Sequence, residues 1–429
     1  MAKYVIIGNS AGGVGAAEAI RTVDPQGALT VISEETYVAY SRPLLPFLLA
    51  GQRTKEQMLI RRQSFYEDKG IDLRLGRRAV HLDLQGNQVE LDNGQTVNFE
   101  KLLLATGAWP SLPDVKGADR SGVYNFFSIH DAQRMVQELP TVRQAVVLGG
   151  GMIALSVAKA LTRRGIQATI VVRSARVLSG LLDEVGSSMA EDALVRGGVR
   201  VVTMSGGEAI TGQDDDPTLV GGVSLGTGEQ LPADLVVLAR GVTPRLELAQ
   251  GTGIQVKHGF IVDRHMATLA PSVYACGDAS EMVDASHPEV RAHSIWLDAY
   301  LGGRVAGLNM AGRDVEFNGG PGMSCLDVMG VPIMAAGMVI PPSAEGYQVE
   351  TYRQEGIYHK LVLRQGQVVG MVLVKDVAKS SWLHGLMRNG TDVTVYAGDL
   401  LRPDFTASDL PEEVQRQVLA PPERYAVAA

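Results

Sequence analysis

Two short stretches have the residue types and spacing to hold a pyrophosphate. Gly8, Ser10 and Gly13 stand at the spacing G-x-G-x-x-G with Ser in the middle position, and Gly149, Gly151 and Ala154 repeat it as G-x-G-x-x-A. In such a turn the first glycine allows the tight bend. The last small residue lets the following helix approach the strand, and the helix N-terminus offers free N–H groups to phosphate. Ser10 is the smallest departure from glycine, and its hydroxyl could donate to the same phosphate. A carboxylate belongs about 20 residues further on, where it accepts from a ribose hydroxyl. After the first turn that position is Glu34. After the second it is Arg173, with Arg176 three residues on. Two readings of Arg173 stay open: contact with a ribose 2′-phosphate, or a solvated side chain stacking on adenine. Arg163 and Arg164 are further candidates.

The elements that must position these residues are legible around them. "KYVIIG" is a buried-strand run and "VGAAEAIRTV" a helix with small residues on its first turns; "ALTVIS" is the next strand. The second turn has the same setting: "QAVVL", then "LSVAKALTRRG", then "ATIVVR". Strand, turn, helix and strand in order make each motif far more specific than glycines alone. "LLLATGAWP" (Leu102–Pro110) and "LVVLARGVTP" (Leu235–Pro244) echo each other as strand ends, turning at Thr106–Gly107 and at Gly241. "SVYACGDASEM" brings a strand into Gly277–Asp278, and "SIWLDAYLGGRVAGLNMAG" follows as a glycine- and alanine-rich helix beginning near Trp296. From about residue 318 the pattern changes to strands with a turn at Gln365–Gly366, then a short helix. The prediction is an α/β chain with two Rossmann-like dinucleotide-binding domains and a C-terminal α+β domain. The first domain is discontinuous, over 1–117 and 245–317; the second is inserted over 118–244; the third, with its tail, runs over 318–429.

Composition excludes several classes. The 429 residues carry a net charge of −8, which gives no electrostatic case for nucleic acid. The apolar runs are broken by Pro or Gly well short of the roughly 20 residues of a membrane span. The chain enters a strand pattern at once, which predicts no signal peptide and a cytoplasmic protein. Two cysteines, Cys276 and Cys325, make neither a disulfide framework nor a metal cluster, and no metal site is expected.

These motifs, in this order over about residues 3–315, resemble the two-dinucleotide-domain flavoproteins of the pyridine nucleotide–disulfide oxidoreductase superfamily. The resemblance implies FAD on the first turn, held by Gly8, Ser10, Gly13, Glu34, Thr106, Gly107 and Gly277. It puts Asp278 on the ribityl chain, and a polyol does want a carboxylate acceptor. The helix starting at Trp296 would aim its N-terminus at the flavin, favouring negative charge there. "YVAYSRPLLPFLLAG" matches the family's segment beside the flavin, which brings in Arg42 and Pro43. NAD(H) or NADP(H) is implied on the second turn, with Gly149, Gly151, Met152, Ile153, Arg173 and Gly241.

Departures from the family are as informative. Where relatives carry one or two redox cysteines, Ser41, Leu44, Leu45 and Pro46 stand instead, so there is no thiolate poised for disulfide exchange. Cys276 reads as a buried filler. A Lys–Glu pair often found beside the flavin is replaced on both sides, by Phe47 and Ser156, which predicts a neutral, apolar pocket. With no thiol relay, the third reactant must dock and exchange electrons through the flavin edge. The resemblance extends to rubredoxin and ferredoxin reductases and to the flavin subunits beside phenylglyoxylate dehydrogenase, carbon monoxide dehydrogenase and tungsten aldehyde oxidoreductase. It implies an iron–sulfur partner, in a tungsten or 2-oxoacid oxidoreductase complex, with electrons passing to NAD+. A stand-alone NAD(P)H oxidase and a redox-sensing flavoprotein are the alternatives. The tail segment "SDLPEEVQRQVL" predicts a short helix, either a partner-docking segment or a frayed end.

Overall fold

The computed structural model describes residues 3–111, 115–281, 295–317, 319 and 321–419. Its first sheet is parallel and five-stranded, in the order Val273–Ala275, Lys101–Leu104, Tyr4–Ile7, Leu29–Ser33, Ile71–Leu75. The central strands are apolar at nearly every position because neither face meets water. A three-stranded antiparallel sheet, Ala79–Asp83, Gln88–Leu91 and Thr96–Asn98, adds Leu82, Val89 and Leu91 to the same core.

The helices Ala11–Val23 and Trp296–Met310 cross at backbone contact, which is why both are rich in Gly and Ala. A Cβ at Gly303 would lie 2.0 Å from the Gly12 carbonyl oxygen, and one at Gly307 2.5 Å from that of Ala16. Gly15 has the same relation to the Tyr300 carbonyl, at 2.3 Å. No side chain fits at these crossings without parting the helices.

The second parallel sheet runs Arg200–Val202, Gln167–Val171, Gln144–Leu148, Leu235–Leu238, Val123–Asn125, with an antiparallel sheet of three strands beside it. The chain leaves the first unit and returns to it through two short strands paired antiparallel, Ala108–Pro110 with Val242–Pro244. The two segments that echo each other in sequence are therefore neighbours in space.

The last unit is an antiparallel sheet in the order Met323–Val328, Val331–Gly337, Gln367–Val374, Ile357–Arg364, Gln348–Gln354. Three of its hairpins turn on an X-Gly pair with both φ positive: Met329–Gly330, Glu355–Gly356 and the expected Gln365–Gly366. That is the two-residue turn whose twist matches the strands it joins. Along the central strands, Tyr358, Val372 and Val374 face the second nucleotide unit, whereas Leu361, Leu363, Met371 and Leu373 face the helix Ser380–Asn389. The period of two puts one residue set on each face.

The tail segment forms the helix Glu412–Leu419 and is not a frayed end. It seats on its own chain, where Val418 is buried beside Gly385 and Asn389 Nδ2 donates to the Gln417 carbonyl at 2.9 Å. Buried Lys379 fixes the approach to it, donating to the carbonyls of Leu400, Arg402 and Phe405. Residues 420–429 of the tail lie outside the described residues.

One polar cluster ties the last sheet to the second unit. Asp183 caps the helix Glu184–Arg196, accepting from the Gly186 amide at 3.0 Å, and accepts also from Tyr358 OH at 2.5 Å and Lys360 Nζ at 2.9 Å. Burial would raise its pKa, but the bonds from Tyr358, Lys360 and Gly186 outweigh it and hold the carboxyl below its ordinary 3.8. A depressed carboxylate contributes stability that is present above the ordinary pKa and is lost as pH falls through the lowered one. Asp183→Asn keeps the cap but strands the buried Lys360 ammonium. We expect it to destabilise by about 3 kcal/mol near neutral pH. Scanning calorimetry of both proteins across pH checks this: the gap in melting temperature narrows as pH falls from 3.8 through the lowered folded-state value, where the wild-type carboxylate takes up its proton.

Candidate functional site

The predicted residues fall into two groups, each at the carboxyl ends of one parallel sheet, where open α/β folds present their ligand crevice. At the first sheet, Tyr4–Ile7 runs into Gly8, Leu29–Ser33 into Glu34, Lys101–Leu104 into Thr106 and Gly107, and Val273–Ala275 into Gly277 and Asp278. At the second, Gln144–Leu148 runs into Gly149, Gln167–Val171 into Arg173, and Leu235–Leu238 into Gly241.

In the first turn Gly8 has φ +119°, and a Cβ there would lie 2.0 Å from the Ala105 carbonyl oxygen; one at Gly13 would lie 1.9 Å from that of Gly8. The second turn repeats the first contact, Gly149 (φ +148°) standing 2.1 Å from the Ala239 oxygen in the same construction. Gly150 is held against Val172, yet Gly151 has no atom within 4 Å of its Cβ position. The residue where backbone must come close to phosphate thus opens onto free space, and its neighbours are locked.

The helix starts add a second sign. Ser10 and Gly151 are the N-caps of Ala11–Val23 and Met152–Arg163, and neither makes a side-chain cap bond. Two helices away from the sites are capped, Ile129–Glu138 by Ser128 and Glu184–Arg196 by Asp183, whereas Gln63–Asp68 and Ser380–Asn389 are not. Two buried donors beside the first turn, Asn9 Nδ2 and the Trp296 indole N–H, have no partner. Asn9 is fixed through its other amide atom, since Tyr66 OH donates to its Oδ1 at 2.7 Å. An uncapped helix start at each turn, orphaned donors at the first and an open glycine at the second fit a dinucleotide at each.

Arg42 lies on the turn Arg42–Leu44 with Pro43 in its first positions. Its Nη2 pairs with Glu35 Oε1 at 2.6 Å and its Nη1 donates to the Phe127 carbonyl at 2.6 Å, while its guanidinium lies 4.4 Å from the Phe127 ring centre. Burial opposes its charge, but Glu35, Tyr40 and Asp278 together raise its pKa, so the cation is firmly held within the electrostatic reach of Asp278. Phe47 and Met152, on adjoining helices, expose 43% and 37% of their surface, and Ile153 is exposed beside Met152. The two helices are tied by Arg164, whose Nε donates to the Leu49 carbonyl at 3.0 Å.

Neither cysteine is poised for redox work. Cys276 is fully buried, and its sulfur lies 2.7 Å from where a Cβ at Gly12 would stand. Burial first, and then the charge of Asp278, push its pKa up to about 12. Cys325 lies exposed on the strand Met323–Val328, its pKa also raised by burial.

Three residues in these sites escaped the sequence reading. Arg245 pairs with Glu34 Oε2 at 2.5 Å and lies 3.8 Å over the Trp109 ring. Its backbone closes the hinge, its amide donating to the Gly107 carbonyl and its carbonyl accepting from Thr106 Oγ1, both at 2.9 Å. Tyr66 orients Asn9. Arg240 sits beside Arg173 at the second site. The signal for the two arginines was their place in and just after the echoing "LARGVTPR"; nothing local marked Tyr66.

Two parallel sheets with opposed glycine turns and a third, antiparallel unit define a two-nucleotide α/β oxidoreductase. The chain belongs to the pyridine nucleotide-disulphide oxidoreductases, matching that family over residues 2–295, and residues 323–391 match the rubredoxin NAD+ reductase C-terminal domain. FAD and NAD(P)H are the cofactors of this family. The chain is 31% identical to the NADH-dependent phenylglyoxylate dehydrogenase subunit epsilon of Aromatoleum evansii, over 97% of each chain. It is 27% identical to the NADH-rubredoxin oxidoreductase of Clostridium acetobutylicum, over 88% of this chain and 92% of that one. Its fold superposes on a ferredoxin reductase from Rhodopseudomonas palustris with a TM-score of 0.83, at 24% identity, over 92% of this chain and 96% of that one. It spans about half the length of two longer relatives.

The two glycines of the second turn should separate under mutation. Gly149→Ala meets both a strained φ and a backbone oxygen, and is expected to cost about 3 kcal/mol or more. Gly151→Ala, at an ordinary φ with open space, should stay within about 0.5 kcal/mol of wild type. Thermal unfolding of the two variants checks the difference; equal losses would contradict the geometry of this turn.

Proposed function

We propose that this chain is the FAD-containing electron-transfer subunit of a larger oxidoreductase, moving electrons between NAD(P)(H) and an iron–sulfur partner, in the direction of NAD(P)+ reduction. The observation that carries the reading is the pairing of two nucleotide turns with no thiol available beside them. Bound FAD supplies the exchange between a two-electron hydride carrier and a one-electron acceptor. The residues do the rest. Gly8, Ser10 and Gly13 hold the FAD pyrophosphate against the uncapped helix start, and Glu34, oriented by Arg245, serves the ribose. Thr106, Gly107 and Gly277 let backbone close on the cofactor. Asp278 accepts from ribityl hydroxyls, the Trp296 helix start faces the flavin, and Arg42 with Pro43 walls the isoalloxazine side. Gly149, Gly151 and Gly241 receive the nicotinamide dinucleotide, with Arg173 at its adenosine end. Phe47, Met152 and Ile153 exclude water from the approach of the two rings.

Support for a protein partner comes from full-length likeness to a phenylglyoxylate dehydrogenase subunit and to a rubredoxin oxidoreductase. The partner's chemistry follows from the missing thiol: electrons that cannot pass as a dithiol must leave through the ring edge to a docked one-electron centre. Tungsten-dependent and 2-oxoacid-dependent enzymes are the partner classes that fit.

Anaerobic stopped-flow with the flavin-loaded protein tests this. Reduced nicotinamide dinucleotide should bleach the flavin, and a rubredoxin- or ferredoxin-type acceptor should restore its colour at turnover rates. Rapid recovery with O₂ alone, and none with such acceptors, would replace the proposal by an oxidase. Gly151→Val should keep the yellow colour and lose reduction by dinucleotide, whereas Asp278→Ala should lose flavin on gel filtration. Unchanged reduction in the first, or full occupancy in the second, would sink the corresponding assignment.

A further inference from the structure

The second turn is flanked by guanidiniums that have no acidic partner among the described residues. The loop that carries Arg173 and Arg176 is bound to the turn itself. Val172 packs against Gly150, and the Leu178 amide donates to the Gly150 carbonyl at 2.7 Å. Arg240 comes from the next strand end. Its Nη2 reaches the Gly207 carbonyl at 3.4 Å, and Arg173 Nε lies 3.9 Å from the Cβ position of Gly206. Both side chains therefore lie against the same glycine turn. Arg240 is half-buried, and its pKa is lowered first by burial and then by the charge of Arg173, so the two cations are felt by each other.

No carboxylate answers them. Among the described residues none of Arg173, Arg176 and Arg240 forms an ion pair. Glu191, on the helix Glu184–Arg196, accepts from the Val177 amide at 3.0 Å. Two more donors at the same strand ends have no partner: Arg176 Nε, and the hydroxyl of Ser205, which is only 5% exposed. The Ser205 amide donates to the Val172 carbonyl at 3.1 Å, which places it at the end of the strand that delivers Arg173. Like charges gathered without counter-charge cost stability, and unpartnered buried donors cost more. Such a cluster is stable when a multivalent anion completes it, and a phosphate monoester matches guanidinium forks.

We infer that the second site is built for the 2′-phosphorylated dinucleotide, NADP(H), with Arg173 and Arg240 taking the 2′-phosphate. Arg176 and Ser205 stand at the same edge with donors to spare. The inference rests on the proposed function only in that the second turn is taken as the nicotinamide site. It sets the chain apart from the relatives whose names specify NADH. Ribose hydroxyls alone would call for an acid at this strand end, and none is there.

Isothermal titration of the oxidised, flavin-loaded protein tests it without turnover. The probes are 2′,5′-ADP and 5′-AMP, which differ by the 2′-phosphate. We expect 2′,5′-ADP to bind about tenfold or more tightly than 5′-AMP, the worth of one charge-assisted contact. The preference should collapse in Arg173→Asp, an exposed position where folding is not at stake, and fall in Arg240→Leu. In wild type, NADPH should then half-saturate flavin reduction at a correspondingly lower concentration than NADH. Equal binding of the two probes, or a lower half-saturation for NADH, overturns the inference and leaves the electron-transfer function standing. If neither dinucleotide reduces the flavin, the proposed function fails, and the titration alone still decides the specificity.

Discussion

The structure depends on the approach of backbone to backbone without side chains between. Gly13 meets Gly8, Gly8 meets Ala105, and Gly303 meets Gly12, each at a distance that a Cβ would violate. These contacts form one continuous chain across the first sheet: strand to turn, turn to helix, helix to the later helix Trp296–Met310. Because each partner is a peptide group and not a flexible side chain, the assembly has almost no slack. The positions that must be precise for a nucleotide are thus fixed by the same glycines that make the fold possible. The second unit repeats this with Gly149 against Ala239 and Gly150 against Val172, and leaves Gly151 of the turn open.

The electrostatics of the two turns then diverge. The first is balanced before any ligand arrives. Glu34 has Arg245, Arg42 has Glu35, and Asp278 lies within the field of Arg42. The second holds cations without acids. A neutral or diol-bearing ligand is served by the first arrangement, where carboxylates are pre-oriented. A further anionic group is served by the second, where binding itself removes the repulsion. The difference lies wholly at the strand ends, since the glycine turns are nearly the same.

Much of this was legible in the residues. The period and order of strand and helix patterns gave both parallel sheets, the inserted second unit and the return to the first. The positive-φ pair at Gln365–Gly366 was visible as a turn. Cys276 as a buried filler followed from its place before Gly277, and its packing against Gly12 gives the physical reason. What stayed hidden were contacts between residues far apart in sequence. Tyr66 on Asn9, Arg245 on Glu34 and Arg240 beside Arg173 each bridge distant segments with no local signature. The seat of the tail helix was hidden for the same reason. Its own pattern is amphipathic and short, and only the groove beside Gly385 shows that its place is on this chain.

The hinge between the two nucleotide units carries more than a connection. Arg245 follows the returning strand Val242–Pro244 and makes four contacts at once: the Trp109 ring on the outgoing strand, Gly107 and Thr106 through its backbone, and Glu34 through its guanidinium. The acid placed to serve the ribose of the first nucleotide is therefore anchored to the strand pair that sets the second unit's position. Any rotation of the inserted unit about these strands must either carry Glu34 along or break a stacked ion pair. Stacking on Trp109 shields one face of that pair from water, and this strengthens it relative to a fully exposed one. The two sites are consequently joined by a stiff polar link as well as by the covalent hinge, which suits a reaction in which two rings must meet in fixed register.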